Sequence, residues 1–159
     1  VDVPPSAVWP WLVQIGLGRG GLYLSEGLGD LLGLNFRNAR RIHPKWQQIA
    51  VGDAIPVAPK HWMGRSDGVA LTVAEMVPNH HLVLQTAHSG PPLAVWSFLV
   101  LPRGDDHSRL LIRVRAALRH PGAVAGMELI RPAAALATRA VLRGIKQRAE
   151  RPHLLLAPG

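Results

Sequence analysis

The 159-residue chain contains no cysteine, which excludes a disulfide framework, thiolate zinc sites and cysteine nucleophiles and leaves stability to packing. A reducing, cytoplasmic setting is the matching expectation. No apolar run approaches the ~20 residues of a membrane-spanning helix. Val1 to Pro10 hold no basic segment followed by a long apolar stretch, so no secretory leader is legible and no stable membrane insertion is expected. Acidic residues are few, ten against 18 Lys plus Arg, for a formal net charge of +8. Aromatics other than tryptophan are few as well, one tyrosine and two phenylalanines beside five tryptophans. The chain opens on Val1-Asp2-Val3, which reads as the tail of a strand, and an earlier segment is expected before it.

What is present is enough for one packed core. The 48% hydrophobic content against 18% charged residues is that of a globule rather than a polar tail, and the length is that of one domain. Val8, Trp11, Leu12 and Ile15 recur at three-and-four spacing after Pro5 and Ser6, predicting a short amphipathic helix that ends by Gly16 and is bent by Pro10. A shorter helix is predicted over Ser25 to Leu32, with Ser25 as N-cap, Glu26 in its first turn and Gly33 as its stop. Beyond Pro44 the pattern turns to β. Ala54–Ala58, Val69–Val77, Leu82–Ala87, Ala94–Leu101 and Arg109–Ala117 are short, β-rich and divided by turn residues, predicting five successive antiparallel strands.

On the last of these strands Leu110, Ile112, Val114 and Ala116 alternate with Arg109, Arg113 and Arg115, predicting a core face and a wet face. A long C-terminal helix is predicted from Pro132 to about Glu150. Ala133, Leu136, Ala137, Ala140, Val141, Gly144 and Ile145 lie on its inner side, and Arg139, Arg143, Lys146, Gln147 and Glu150 on its outer side. The organisation is therefore a single α+β domain over 1–151 and a tail over 152–159.

Several chemistry-bearing motifs read as structural. Gly16-Leu17-Gly18-Arg19-Gly20-Gly21 matches the dinucleotide fingerprint letter for letter, but it follows a helix rather than a strand and no acidic residue stands some 20 positions on. A sharp loop with Arg19 and Tyr23 as polar groups at one edge is the better reading. The eight histidines are spread over turns and include no helical ligand pair, so no metal and no cofactor are expected. His88-Ser89 and Asp106-His107-Ser108 put Ser beside His without Gly-x-Ser-x-Gly, and hydrated turn residues are preferred to a catalytic triad. No catalytic residue is assigned.

The charge is uneven. Residues 1–79 carry seven basic and six acidic side chains, and residues 80–159 carry eleven and four. Because the basic groups fall on the outer faces of a strand and a helix, without the interleaved exposed aromatics of single-stranded nucleic-acid grooves, no nucleic-acid partner is expected. A basic surface meeting nucleic acid or an anionic membrane stays as a further alternative. Trp96, Phe98 and Val100 share a strand face that is either core or a cavity wall, since pockets are themselves mostly apolar.

The motif order resembles the helix-grip fold of the START/Bet v 1-like superfamily, and particular residues resemble its bacterial SRPBCC branch. These are Pro4 through Gly16, Arg19-Gly20-Gly21-Leu22-Tyr23, Arg41-Ile42-His43-Pro44 with Gln47, and Val51-Gly52-Asp53. Val95 through Leu99 with Leu101-Pro102, Arg109 through Arg115 and Leu142 through Glu150 fit the same branch. Only Val1–Val3 of that family's first strand are present. The resemblance implies a curved antiparallel sheet gripping the C-terminal helix, two short helices after the first strand, and a cavity for a hydrophobic or amphipathic small molecule, lipid-like or polyketide-like. It places Trp11, Gln14, Arg19, Tyr23, Trp46, Trp96, Phe98, Ile112, Val114, Ala133, Leu136, Ala137, Ala140 and Gly144 around that cavity. The family includes lipid carriers, hormone receptors and polyketide cyclases, so a cyclase or aromatase with Arg19, Tyr23 and Gln14 as polar groups is the alternative activity.

Overall fold

A computed structural model of the chain describes residues 1–34, 37–62, 66–86, 93–117 and 121–151. Ala87, His88, Ser89, His120 and the 152–159 tail of the sequence reading lie outside them. The architecture is α+β. Two helices, α1 (Pro5–Val13) and α2 (Glu26–Leu31), precede five strands, β1 (Ala54–Ala58), β2 (Val69–Val77), β3 (His81–Thr86), β4 (Ala94–Pro102) and β5 (Ser108–Ala116), and a long helix, α3 (Pro121–Ala149), follows. The strands form one antiparallel sheet in sequence order. Pro78-Asn79-His80 carries the β2–β3 turn, with Asn79 in the left-handed region at φ 60. Register shifts at Pro56/Ala58 and Val73/Glu75 put bulges in the first two ladders, which bend the strands and increase their twist.

The core sits on one face of this sheet. Ile55, Leu71, Val73, Leu82, Leu84, Phe98, Val100 and Leu110 are buried there, covered by Val8, Trp11 and Leu12 of α1 and by Val141, Ile145 and Ala149 of α3. α1 packs against both α3 and β4. Val1 and Ser108 exchange both main-chain hydrogen bonds, at 3.0 and 2.9 Å, the pattern of a closely paired antiparallel residue couple.

Four expectations are corrected. α3 begins at Pro121, with Pro132 inside it. Pro132 is exposed, so the hydrogen bond it removes is lost on a face open to water, and Pro121 takes the opening position that proline favours. α1 ends at Val13 rather than near Gly16, because Gln14 caps it and the chain turns into a bridge between Gly16 and Gly21. Ser25 is the N-cap of α2 by position, but its hydroxyl makes no capping bond. On β5 the core face fades: Leu110 is buried, Ile112 half-buried, Val114 50% exposed and Ala116 exposed. Residues 131–136 of α3 are exposed too, Ala133 and Leu136 of the expected inner side among them; from there on Ala137 is half-buried and Val141 and Ile145 are buried.

Candidate functional site

The glycine loop after α1 is a tight reverse turn. Gly16 and Gly21 bond each other in both directions, at 3.0 and 2.9 Å, and the Leu17 amide donates to the Pro56 carbonyl on β1 at 2.6 Å. A β-carbon at Gly20 would lie 2.6 Å from the Tyr23 hydroxyl and 2.7 Å from the Gln14 carbonyl oxygen. Glycine is needed here for close approach of chain to chain.

The polar residues around this loop are spent on main-chain groups. Gln14 is fully buried; its Nε2 donates to the Arg41 carbonyl at 3.2 Å, and its Oε1 accepts from the His43 amide at 3.1 Å. Arg19 donates through one guanidinium nitrogen to the carbonyls of Val13 and Trp46, at 3.0 and 2.8 Å, while its Nε is buried without a partner. Burial lowers the Arg19 pKa. The Tyr23 hydroxyl donates to the Trp11 carbonyl at 2.8 Å, and its ring meets the Trp11 ring edge-on. Tyr23 has a φ of 58, and Asn38 holds its main chain by accepting from the Tyr23 amide and donating to the Leu24 carbonyl. Trp46 is half-buried, with the His43 ring 4.2 Å away.

Burial raises the Tyr23 pKa well above its ordinary value. An unfolded tyrosine loses its proton near pH ~10, and the folded one holds it to higher pH. The resulting stability is complete below pH ~10 and is lost as the pH climbs through the raised folded value. Tyr23 is the single tyrosine of the chain, so tyrosinate absorbance is assignable to it alone. The phenolate signal is expected to rise together with alkaline unfolding seen by circular dichroism; a phenolate forming near pH ~10 in still-folded protein would show an accessible hydroxyl instead.

The second half of α3 packs on this braced segment. A β-carbon at Gly144 would overlap the Tyr23 carbonyl oxygen and stand 2.6 Å from the Tyr23 Cβ, so glycine lets the helix reach the Tyr23 main chain. One turn on, the Arg148 guanidinium lies over the Tyr23 ring, 4.8 Å from its centroid, and donates to the carbonyls of Ala39 and Gly144. Burial lowers the Arg148 pKa, and the nearby Tyr23 opposes that shift.

Between α3 and the Tyr23–Leu28 segment runs a cleft of about 550 Å³. Its apolar lining includes Leu24, Leu28, Leu136 and Ala140, and Arg139, Arg143, Gln147 and Arg148 supply polar groups. Of the residues expected around a cavity, the cleft brings together Tyr23, Leu136, Ala140 and Gly144. The others are elsewhere. Trp11 and Phe98 are core at 3% and 1% exposure; Trp96, Ile112 and Ala137 are half-buried against that core; Val114 and Ala133 are exposed. The sequence reading missed Leu24, Leu28, Asn38, Arg139, Arg143, Gln147 and Arg148. Arg139, Arg143 and Gln147 recur every four residues and were assigned to the outer side of the helix. They are exposed, yet they also border the cleft, because α2 stands beside that face.

Elsewhere, His80 is exposed in the β2–β3 turn with its Nδ1 2.8 Å from the Nδ1 of His81, whose Nε2 is 2.9 Å from a carboxylate oxygen of Glu75. Among the described residues no three His, Asp or Glu side chains group as a metal site would. No helix among them is long and apolar enough to cross a membrane.

No protein-family model matches the chain, and no curated protein matches it significantly. A crystal structure of protein MLL2253 from Mesorhizobium loti is similar over 97% of this chain and 94% of that one, at 18% identity and a TM-score of 0.48.

Proposed function

We propose that the protein binds a hydrophobic or amphipathic small molecule against the small-residue side of α3, as a helix-grip protein of the SRPBCC type would. The observation that carries this reading is the cleft of about 550 Å³, within the size range of small-molecule sites. Ala140 and Gly144 keep the helix side of the cleft shallow, and Leu24, Leu28 and Leu136 give it apolar walls. The half-exposed Val114 and the half-buried Trp96 paired with it add apolar surface along the sheet. Arg139 and Arg143 at the rim suit a ligand with a polar end. The hydrogen bonds of Gln14, Arg19 and Tyr23 to main-chain carbonyls support bracing rather than catalysis, which favours a carrier or receptor over a cyclase.

The test is equilibrium titration with an uncharged fluorescent aromatic probe. Ala140→Trp fills the cleft, and affinity is expected to fall at least ~10-fold, the loss of about 1.4 kcal/mol of binding free energy. Unchanged probe affinity in a folded Ala140→Trp protein would place the ligand elsewhere.

A further inference from the structure

A second cleft, of about 610 Å³, opens on the neighbouring face of α3, between that helix and the start of β5. Arg103, Arg109, Arg143 and Lys146 all line it, with Leu110 and Leu142 as its apolar walls. Lys146 is held by Asp2 and Glu150. Among the described residues no carboxylate stands within ion-pair distance of Arg103, Arg109 or Arg143, so these three carry the net charge of the cleft. Arg103 reaches the cleft from the turn after β4, Arg109 from β5 and Arg143 from α3, so three separate elements bring guanidinium groups to one groove.

We propose that this cleft is an anion site that takes a phosphate or phosphomonoester on Arg103, Arg109 and Arg143. A tetrahedral dianion offers enough acceptor oxygens for several guanidinium forks together, which a two-oxygen carboxylate does not. Leu110 and Leu142 beside the cations would accept a short apolar tail on the same group.

The test is calorimetric titration of the full chain with inorganic phosphate and with hexyl phosphate. Wild type is expected to bind saturably, and the Arg103→Gln/Arg109→Gln double variant at least ~10-fold more weakly, while both bind the uncharged probe of the first cleft alike. Hexyl phosphate binding more tightly than phosphate supports an amphipathic phosphorylated ligand; equal affinity supports a soluble one. Absence of saturable phosphate binding, or binding that survives the double variant undiminished, overturns the proposal. Because Ala140→Trp tests only the first cleft, either proposal can fail alone.

Discussion

Gly144→Ala is expected to destabilise the protein by about 1–3 kcal/mol, the usual cost of adding a methylene to a packed contact. Helix propensity alone predicts the opposite sign, because alanine is favoured over glycine in a helix interior by ~1 kcal/mol. The difference lies in what the new β-carbon would meet, which is the Tyr23 main chain rather than the end of a flexible side chain. That main chain cannot shift cheaply, since Tyr23 is in the left-handed region and tied to Asn38 on both sides. Gly27 of α2 is the control, with nothing within 4 Å of its ideal β-carbon. Gly27→Ala is expected to be neutral or to stabilise by up to ~1 kcal/mol. Urea unfolding of the two variants measures both, and a Gly144→Ala protein as stable as wild type would mean that α3 does not dock on the Tyr23 segment.

Gln14→Leu carries the second large effect, a loss of about 2–4 kcal/mol. Leucine fits a buried site of this size, so little of the cost is a cavity. It comes from stranding the Arg41 carbonyl and the His43 amide, with the Gln47 side chain, which donates to the same Gln14 oxygen at 3.4 Å, as a weaker third partner. A glutamine serving only substrate would be replaceable with stability intact. An unfolding free energy within ~0.5 kcal/mol of wild type would therefore contradict the bracing role and return Gln14 to the list of groups available for chemistry.

The β half of the molecule was legible because each strand is a short alternating segment closed by turn residues. Val69–Val77 is found with the predicted bounds, and the hairpin after Val77 turns at Asn79. The start of α3 was not legible, because prolines 121 and 132 both suit an opening turn and only the exposure of Pro132 separates them. Val114 and Ala116 continue the apolar alternation of β5 without being covered, since alternation reports which face a residue is on and not how far the opposing helix reaches. The candidate site was half legible for the same reason. Small residues on one helix stripe were visible from periodicity, but whether they make room or make contact depends on the partner. Ala140 borders open space and Gly144 touches the Tyr23 main chain, four residues apart on one stripe. The basic excess of the second half was assigned to solvated faces; Arg103, Arg109, Arg139 and Arg143 are exposed as expected and, with the half-buried Lys146 and Arg148, also border the two clefts.

Whether the α3 cleft holds a small molecule decides whether this protein is a binding protein of the proposed kind. Native mass spectrometry of freshly purified protein, with wild type and Ala140→Trp measured side by side, tests this most directly. Wild type is expected to carry a small-molecule adduct that denaturation releases and that Ala140→Trp lacks or carries in much smaller amount. Spectra that are the same for the two proteins would contradict the proposed binding.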